Sequence, residues 1–273
     1  MGMTPGSKRF ELQSGLAGET LVRRGLMKEL GGTGQVRIAP DLNVIKLGGH
    51  GAIDYGRSVM RPLCTELGEL SHTDQLLVVT GGGARVRHIM DVGVDLGMPT
   101  GVLAELSAKI SEQNATMVAI LLTQWGGTRI HQADLLELPT LLRLRQLPVI
   151  HGTPPYGLYE HPARVGAIPP HRTDTGAFLI AEVLGARSCI LGKNVDGLYS
   201  ADPRAHPDAE LIPRASAEEV IEMNLDDLVL ERMVLELMQQ AVHIHELRIV
   251  NCHVPGNITA AIRGEPIGTV IRA

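Results

Sequence analysis

Short apolar runs alternate along the chain with longer segments in which apolar residues recur at helical spacing. The runs predict buried strands, and the segments between them predict helices. The predicted strands are Val44–Leu47, Leu76–Thr80, Thr128–Ile130, Val149–His151, Cys189–Leu191, Leu247–Asn251 and Thr269–Ile271. The predicted helices are Arg57–Leu70, Ala84–Leu96, Ser107–Gln124, Thr173–Leu184, Ala217–Met223 and Leu228–His243. Apolar strands separated by helices are typical of a mostly parallel sheet covered on both faces, so the pattern predicts an α/β fold.

Two segments fall outside this alternation. Residues 1–36 are rich in Gly, Arg and Lys and contain one weak helical patch, Glu19–Leu30. They predict an N-terminal arm, either a disordered tail or an arm that grips a neighbouring subunit, ahead of one domain over residues 37–273. The second segment is Pro154–Pro170, which predicts a long irregular loop, and such loops in compact domains are more often functional than idle.

Composition argues against several classes of function. Aromatic residues make up 3% of the chain and the formal net charge is -5, so stacking platforms and a broad basic surface for nucleic acid are missing. No apolar run is long enough for a membrane span, and the N-terminus has no signal-peptide core, so we expect a cytoplasmic protein with no membrane partner. Three widely separated cysteines, Cys64, Cys189 and Cys252, predict buried thiols in a reducing compartment.

A lysine lies inside the first predicted strand, and two glycines follow the strand. Because a buried unpaired charge costs on the order of several kcal/mol, Lys46 requires an anionic partner. Gly48 and Gly49 stand directly after the strand, where glycine lets backbone amides approach a phosphate closely. Loops at the carboxyl ends of parallel strands line a binding crevice. These residues therefore predict a phosphate or oxyanion site.

A second glycine cluster follows the next predicted strand and consists of Gly81, Gly82 and Gly83. The helix predicted to begin near Ala84 would point its partial positive end at the same crevice. Arg85 and Arg87 diverge on that helix, so only one of them need face the crevice, and Arg85 is the candidate. The glycine spacing matches neither a P-loop nor a dinucleotide-binding fingerprint, which excludes both motifs.

Two further loops carry candidate site residues. Asp174 lies where a loop runs into a predicted helix, and either Thr173 or Asp174 can cap that helix. In the alternative interpretation, Asp174 is a catalytic residue that acts as a direct or second-sphere partner of Lys46 and of Mg²⁺, which prefers carboxylates beside phosphates. The other loop contains turn signals and a tyrosine beside an aspartate, which suits the edge of a purine pocket. Its candidate nucleotide-binding residues are Lys193, Asn194, Asp196, Tyr199 and Asp202.

These motifs together resemble the amino acid kinase superfamily, and the branch they resemble most is that of the bacterial uridylate kinases. The resemblance covers about residues 42–273 and is carried by the ordered motifs Lys46-x-Gly-Gly, Gly81-Gly-Gly, Thr173-Asp174-Thr175, Val195-Asp196-Gly197-Leu198-Tyr199-x-x-Asp202-Pro203 and Pro255-Gly256-Asn257 with Gly264-Glu265 and Gly268-Thr269. It implies a three-layer αβα sandwich. It also implies that ATP binds over the loop containing Asp196–Asp202, with its phosphates near Lys46, Gly48 and Gly49.

Departures from the uridylate kinase pattern point to another branch. The uridylate kinase pattern before the nucleotide loop resembles Lys-x-x-Lys-Val-Asp-Gly. In this chain Leu191 and Asn194 stand at the two lysine positions, and Lys193 lies between them. About 40 residues precede Lys46. These features, with Pro154-Pro155-Tyr156 and the run from Ile168 to Leu179, resemble the bacterial molybdenum storage protein family. That resemblance implies a hexameric cage of two related subunit types that uses ATP to deposit molybdate or tungstate as polyoxometalate clusters.

Eleven histidines are a high count for this length. Imidazole donates to oxyanions or ligates metals, although any single histidine is more often a surface or core residue. His131, His151 and His161 fall in the segment that the resemblance implies lines the cage, so they are the candidate contacts for an oxyanion cluster. The family's alpha-type subunit has a histidine run after Pro-Pro-Tyr. The run Gly157-Leu158-Tyr159-Glu160-His161 stands there instead, which favours a beta-type subunit or a divergent relative.

Three functions follow as hypotheses. The preferred one is ATP- and Mg²⁺-dependent storage of molybdate or tungstate in a homo- or hetero-hexamer, with ATP hydrolysis as an open question. The alternative is a nucleoside monophosphate kinase resembling uridylate kinase. Phosphoryl transfer depends on charge neutralisation, and the missing lysines weigh against transfer to UMP. The third is a silent subunit that completes a cage.

Overall fold

The structure is a computed structural model that describes residues 36–154, 157–160, 168–225 and 227–273. The description below concerns the unit Arg37–Ala273. The predicted N-terminal arm, residues 1–36, lies almost wholly outside the described residues, and so does the candidate His161; both stay predictions.

The domain is built on an eight-stranded sheet. Its strands are β1 (Leu42–Leu47), β2 (Gln75–Thr80), β3 (Gly127–Arg129), β4 (Leu147–His151), β5 (Ser188–Lys193), β8 (Arg214–Ser216), β9 (Glu246–Asn251) and β10 (Thr269–Arg272). They lie in the order β3-β4-β2-β1-β5-β9-β10-β8. Every neighbouring pair is parallel except β9 with β10. Two further strands, β6 (Leu198–Tyr199) and β7 (Leu211–Ile212), form a separate antiparallel pair.

Helices cover both faces of the sheet. They are α1 (Arg57–Leu70), α2 (Ala84–Asp95), α3 (Thr100–Leu121), α4 (Leu138–Arg143), α5 (Thr173–Leu184), α6 (Ala217–Glu222), α7 (Arg232–Met238) and α8 (Asn257–Ile262). Single helical turns lie at Ile53–Tyr55, Thr123–Trp125 and Gly157–Tyr159, and a longer 3-10 segment spans Gln132–Glu137.

The hydrophobic core is divided by the sheet. In β1, Val44 belongs to a cluster that includes Phe178 of α5, while Ile45 belongs to a cluster that includes Leu63 of α1. Side chains alternate along a strand, so one strand serves both layers, and both of its faces are apolar because both are covered. The predicted αβα sandwich is therefore confirmed.

The predicted elements are largely present, with two errors in the helices. The helix predicted over Ser107–Gln124 begins earlier, at Thr100 after Pro99, and ends at Leu121. The helix predicted over Leu228–His243 is limited to Arg232–Met238, because Glu231 has an extended backbone with φ -69° and ψ 128°. The elements that the pattern missed are short: α4, α8, β6, β7 and β8 have six residues or fewer.

Two expectations from composition can be compared with the structure. Among the residues described, no helix combines the length and apolarity needed to cross a membrane. Cys64, Cys189 and Cys252 are free and buried, as predicted. Burial raises the pKa of the Cys189 thiol to about 12, so this thiol stays protonated and unreactive near neutral pH.

Candidate nucleotide and oxyanion sites

A cavity of about 550 Å³ opens at the carboxyl ends of β1, β2 and β5. This is the edge at which loops of a parallel sheet bind ligands. The candidate residues that line it are Lys46, Gly48, Gly49, Gly82, Gly83, Asp174, Lys193, Asn194, Tyr199 and Asp202. Gly81, Arg85 and Asp196 are absent from its wall as the structure describes it.

The two glycine loops pack directly against each other at the mouth of β1 and β2. A Cβ atom on Gly49 would collide with the backbone nitrogen of Gly83. Gly83 has φ 75°, a left-handed conformation that favours glycine, and a Cβ there would lie 2.6 Å from the carboxylate oxygens of Asp54. The glycines are thus explained first by the contact between the loops, and they line the cavity with backbone that carries no side chains.

The floor of the cavity is an ion-paired cluster of one carboxylate and two ammonium groups. Lys46 Nζ lies 2.6 Å from Asp174 Oδ1, and Lys193 Nζ donates to Asp174 Oδ2 at 2.7 Å. Lys46 and Asp174 are buried, with 5% and 3% of their surfaces exposed. The anionic partner that a lysine in an apolar strand requires is therefore Asp174, and the second lysine leaves this trio with a net positive charge.

Burial and charge act in opposite directions on this cluster. Burial alone would raise the pKa of Asp174, but the adjacent Lys193 and Lys46 outweigh it and hold that pKa well below its usual range. Burial lowers the pKa of Lys193, and Lys46 lowers it further, while Asp174 opposes both. A bound anion next to the two ammonium groups would reduce the repulsion between them and stabilise their charged forms.

The carboxylate that caps α5 is Glu231, and neither Thr173 nor Asp174 caps the helix. The position before the first turn is Arg172, whose side chain makes no capping hydrogen bond. Glu231, 8% exposed, accepts hydrogen bonds from the backbone amides of Arg172, Asp174 and Thr175 at 2.9–3.1 Å. The expectation of a cap at Thr173 or Asp174 is therefore wrong, and the Asp174 side chain is free to meet the lysines.

A carboxylate also occupies the start of α2. Asp54 Oδ2 accepts a hydrogen bond from the backbone amide of Ala84 at 2.7 Å. The positive end of α2, which was expected to face a bound anion, therefore already has a negative partner. His50 Nδ1 lies 3.9 Å from the same oxygen, on the loop that follows β1.

The two arginines of α2 do diverge, and the structure directs the other one to the cavity. Arg85 donates to the side chains of Asn114 and Gln113 on α3. Arg87 lines the cavity. Helical geometry explains the divergence, because residues two apart on a helix point in different directions, and the contacts with α3 determine which arginine is drawn away. Arg87 and Glu231 are charged residues of the cavity wall that were not predicted from the sequence.

The loop after β5 divides its candidates between the cavity and the exposed surface. Asp196 accepts hydrogen bonds from Asn251 at 2.9 Å and from the Tyr199 hydroxyl at 3.4 Å, so it organises the loop. Asn194 donates to the Tyr55 hydroxyl at 3.2 Å. Tyr199 and Asp202 remain on the cavity wall.

The two described histidine candidates, His131 and His151, lie outside the cavity, after β3 and at the end of β4. His131 Nδ1 lies 3.5 Å from Glu112 Oε1 and 3.2 Å from a guanidinium nitrogen of Arg129. His151, the last residue of β4, is half-buried. Burial lowers its pKa, and the nearby Glu112 opposes that effect. The structure thus brings His131 and His151 into one polar cluster.

Several buried polar atoms around these histidines lack a hydrogen-bond partner in the described part of the chain. They are Ser111 Oγ, Arg129 Nε, His151 Nδ1 and Thr153 Oγ1. Ser111 and Thr153 also line the cavity, so this group continues its wall toward the histidines. Buried polar atoms are normally paired, so a concentration of unpaired ones indicates a place where water or a polar ligand binds.

The doubly covered parallel sheet and the charged cleft at its carboxyl edge are those of a kinase-like nucleotide fold. The chain belongs to the amino acid kinase family, whose model matches residues 41–251. Within that family it groups with the molybdenum storage protein subunits. It is 41% identical over 263 residues, 96% of this chain and 97% of the relative, to molybdenum storage protein subunit beta of Azotobacter vinelandii.

Uridylate kinases are also similar to this chain. The uridylate kinase of Thermofilum pendens is 32% identical over 246 residues, which is 85% of this chain and 98% of that enzyme. The crystal structure of uridylate kinase from Archaeoglobus fulgidus matches with a TM-score of 0.65 at 25% identity, covering 84% of this chain and 99% of the other.

Proposed function

We propose that this chain is a nucleotide-binding subunit of a molybdenum or tungsten storage assembly, in which ATP with Mg²⁺ supports deposition of molybdate or tungstate as polyoxometalate clusters. The observation that carries the nucleotide part is the buried Lys46–Asp174–Lys193 cluster under the two glycine loops. The similarity to a molybdenum storage protein subunit supports the storage part.

The phosphates of ATP are proposed to bind between the glycine loops and the two lysines. Lys46 and Lys193 supply two positive charges against the one carboxylate of Asp174, and hydrogen bonds between charged groups are short and strong. The backbone of Gly48, Gly49 and Gly82, which line the same cavity, is proposed to supply further donors. The adenosine end would then lie along Tyr199 and Asp202.

Magnesium fits this site as an ion carried by the nucleotide. In the described part of the chain, no group of three or more His, Cys, Asp or Glu side chains is arranged to hold a metal. Both oxygens of Asp174 already face ammonium groups, so Asp174 is proposed to act in the second sphere. Mg²⁺ usually keeps several waters and binds phosphate oxygens beside one or two carboxylates, and when bound it neutralises phosphate charge.

The stored oxyanion is proposed to contact His131 and His151. Their cluster combines a cationic Arg129 with polar atoms that lack partners among the described residues. The pKa of His151, which burial lowers, favours the neutral imidazole that ligates metals near neutral pH. His161 remains a third proposed contact.

The assembly is proposed to be a hexamer, formed with a related subunit or with copies of this chain. The relative in A. vinelandii is named a beta subunit, which supports a multi-subunit arrangement here. The free, buried cysteines fit the reducing cytoplasm, where we place the protein.

A nucleoside monophosphate kinase is the competing function. Two observations favour it: the 32% identity to a uridylate kinase, and Arg87, a cation on the cavity wall that suits a second phosphate. One observation weighs against this function: Leu191 and Asn194 stand at the two positions where the uridylate kinase pattern has lysines. A coupled assay of ADP release with UMP as acceptor distinguishes the two functions.

Metal analysis tests the proposed function. The purified protein, alone and co-expressed with a related subunit, is incubated with molybdate and Mg-ATP and passed over a gel-filtration column. We expect the hexamer fraction to retain molybdenum well above one equivalent per subunit. A hexamer with no more than one equivalent in both preparations, together with turnover of UMP, would replace storage by the kinase.

A further inference from the structure

The Glu231 carboxylate accepts four hydrogen bonds from residues at the start of α5. One of its oxygens, Oε2, accepts from the amides of Arg172 and Thr175 and from the Thr175 hydroxyl, at 2.9, 3.1 and 2.6 Å. The other oxygen, Oε1, accepts from the amide of Asp174 at 2.9 Å. The carboxylate is buried and comes from the loop that precedes α7, far from α5 in sequence.

The same turn carries Asp174, which lies between the two lysines of the cavity floor. Glu231 binds the amide of Asp174 itself and the amides of residues on either side of it. The backbone that determines the direction of the Asp174 side chain is therefore fixed from outside the helix. Glu231 also faces the cavity, so its charge lies on the ligand side of the turn.

We propose that Glu231 is a positioning residue: by holding the first turn of α5, it keeps the Asp174 carboxylate between Lys46 and Lys193 and so presets the two ammonium groups for nucleotide phosphate. The role in phosphate binding rests on the proposed function, whereas the positioning of Asp174 does not.

Occupation of this turn has a second consequence. The amides at a helix N-terminus are a ready site for anions. At α5 the amides of Arg172, Asp174 and Thr175 are already bound to Glu231, and at α2 the amide of Ala84 is bound to Asp54. Anions that enter the cavity are therefore directed to the lysines and glycine loops instead of the two helix starts.

The chain offers a matched control for a carboxylate that binds backbone amides. Glu182, on α5, accepts hydrogen bonds from the consecutive amides of Val242, His243 and Ile244 at 2.7–3.1 Å. It does not line the cavity in the described structure. Glu182→Gln thus removes a comparable structural contact without touching the floor of the site.

The first readout needs no nucleotide. Reductive methylation of lysines with formaldehyde and cyanoborohydride, followed by mass spectrometry, compares Lys46 and Lys193 with Lys109, whose side chain is 64% exposed. In the wild type the side chains of Lys46 and Lys193 are 7% and 13% exposed, so labelling is slow. We expect Glu231→Gln to speed labelling of both by about tenfold relative to Lys109, while Glu182→Gln leaves it unchanged.

The second readout is calorimetric affinity for Mg-ATP, measured below the unfolding midpoint of each variant. We expect both Gln variants to unfold at lower temperature, but only Glu231→Gln to lose affinity, by about tenfold. Glu231→Asp keeps the charge, so we expect it to be intermediate, and it replaces Glu231→Gln in both readouts if that variant does not fold.

Slow labelling of both lysines in the folded Glu231 variant would overturn the positioning role. A wild type that does not bind Mg-ATP would overturn the proposed function, and the labelling would still decide whether Glu231 positions Asp174. Equal loss of affinity in Glu231→Gln and Glu182→Gln would reduce the effect on binding to general destabilisation and contradict the proposal.

Discussion

Lys46 at the end of β1 and Asp174 at the start of α5 form a buried ion pair, with Nζ 2.6 Å from Oδ1. The pair joins the central strand to the helix that covers it, and Lys193 at the end of β5 binds the other carboxylate oxygen. Three elements of the domain thus meet at one carboxylate. Stability and the proposed binding of nucleotide are consequently coupled at this point.

Removal of the shared charge should destabilise the fold. Asp174→Asn leaves two buried ammonium groups with no carboxylate between them, so we expect the free energy of unfolding to fall by about 3–5 kcal/mol. Glu105→Gln is the control, because Glu105 and its partner Lys109 have side chains that are 42% and 64% exposed, and such pairs contribute up to about 1 kcal/mol. Urea unfolding followed by circular dichroism measures both; similar losses for the two variants would contradict the buried-cluster account.

The same carboxylate predicts a specific loss of stability in acid. The lysines hold the pKa of folded Asp174 below the ordinary value of about 3.9, despite burial, which acts to raise it. Below about pH 3.9 the unfolded chain takes up this proton first, so the free energy of unfolding falls as the pH falls toward the folded pKa. The contribution is fully present above about pH 5, and its slope is at most about 1.4 kcal/mol per pH unit.

Urea midpoints measured at falling pH check this sign. We expect Asp174→Asn to show a flatter acid limb than the wild type. Part of the limb should persist, because hydrogen bonds from the amides of Ile244 and Val242 outweigh burial and lower the pKa of Glu182. Parallel acid limbs in wild type and variant would show that Asp174 titrates normally.

The contact between the glycine loops should be sensitive to a single methyl group. Gly49→Ala places a Cβ against the backbone of Gly83, which cannot move aside as a side chain would. We expect a loss of about 2–4 kcal/mol in unfolding free energy. Gly51→Ala is the control, since its Cβ would meet atoms no closer than 3.6 Å. Thermal unfolding of both decides the point, and a Gly49→Ala protein as stable as Gly51→Ala would refute the packing described here.

A substitution in the histidine cluster should affect the retention of molybdenum without affecting the binding of nucleotide. We expect His151→Ala to lower the molybdenum retained per subunit after incubation with molybdate and Mg-ATP, because an unpaired imidazole nitrogen is lost from that wall. Affinity for Mg-ATP should not change, since His151 lies outside the cavity that the structure describes. His72→Ala, on the exposed surface after α1, is the matched control. Undiminished molybdenum in His151→Ala would remove this histidine from the proposed contacts.

Much of the layout was predictable because it depends on local pattern. Arg57–Leu70 and Thr173–Leu184 were predicted as helices with the bounds that the structure has, since apolar residues at helical spacing face one core layer. The two glycine loops and Lys46 were placed at one cavity because carboxyl ends of parallel strands share an edge.

The errors lie where tertiary contacts decide. The apolar spacing of Leu228–His243 suggested one long helix, but Glu231 adopts an extended backbone to cap α5. The choice between Arg85 and Arg87 depends on Asn114 of α3, which no local pattern connects to α2. Both cases concern side chains that meet across elements, and both lie at the site, where local rules are often overridden.

Calorimetric titration of Mg-ATP into wild type and Lys46→Ala tests most directly whether nucleotide phosphates meet the buried lysine cluster. Lys109→Ala, on an exposed face of α3, controls for loss of a positive charge. Hydrogen bonds to charged groups contribute about 1.5–3 kcal/mol, so we expect Lys46→Ala to weaken binding about ten- to a hundredfold and Lys109→Ala to leave it unchanged. Equal affinity in wild type and Lys46→Ala would contradict a nucleotide site on this cluster.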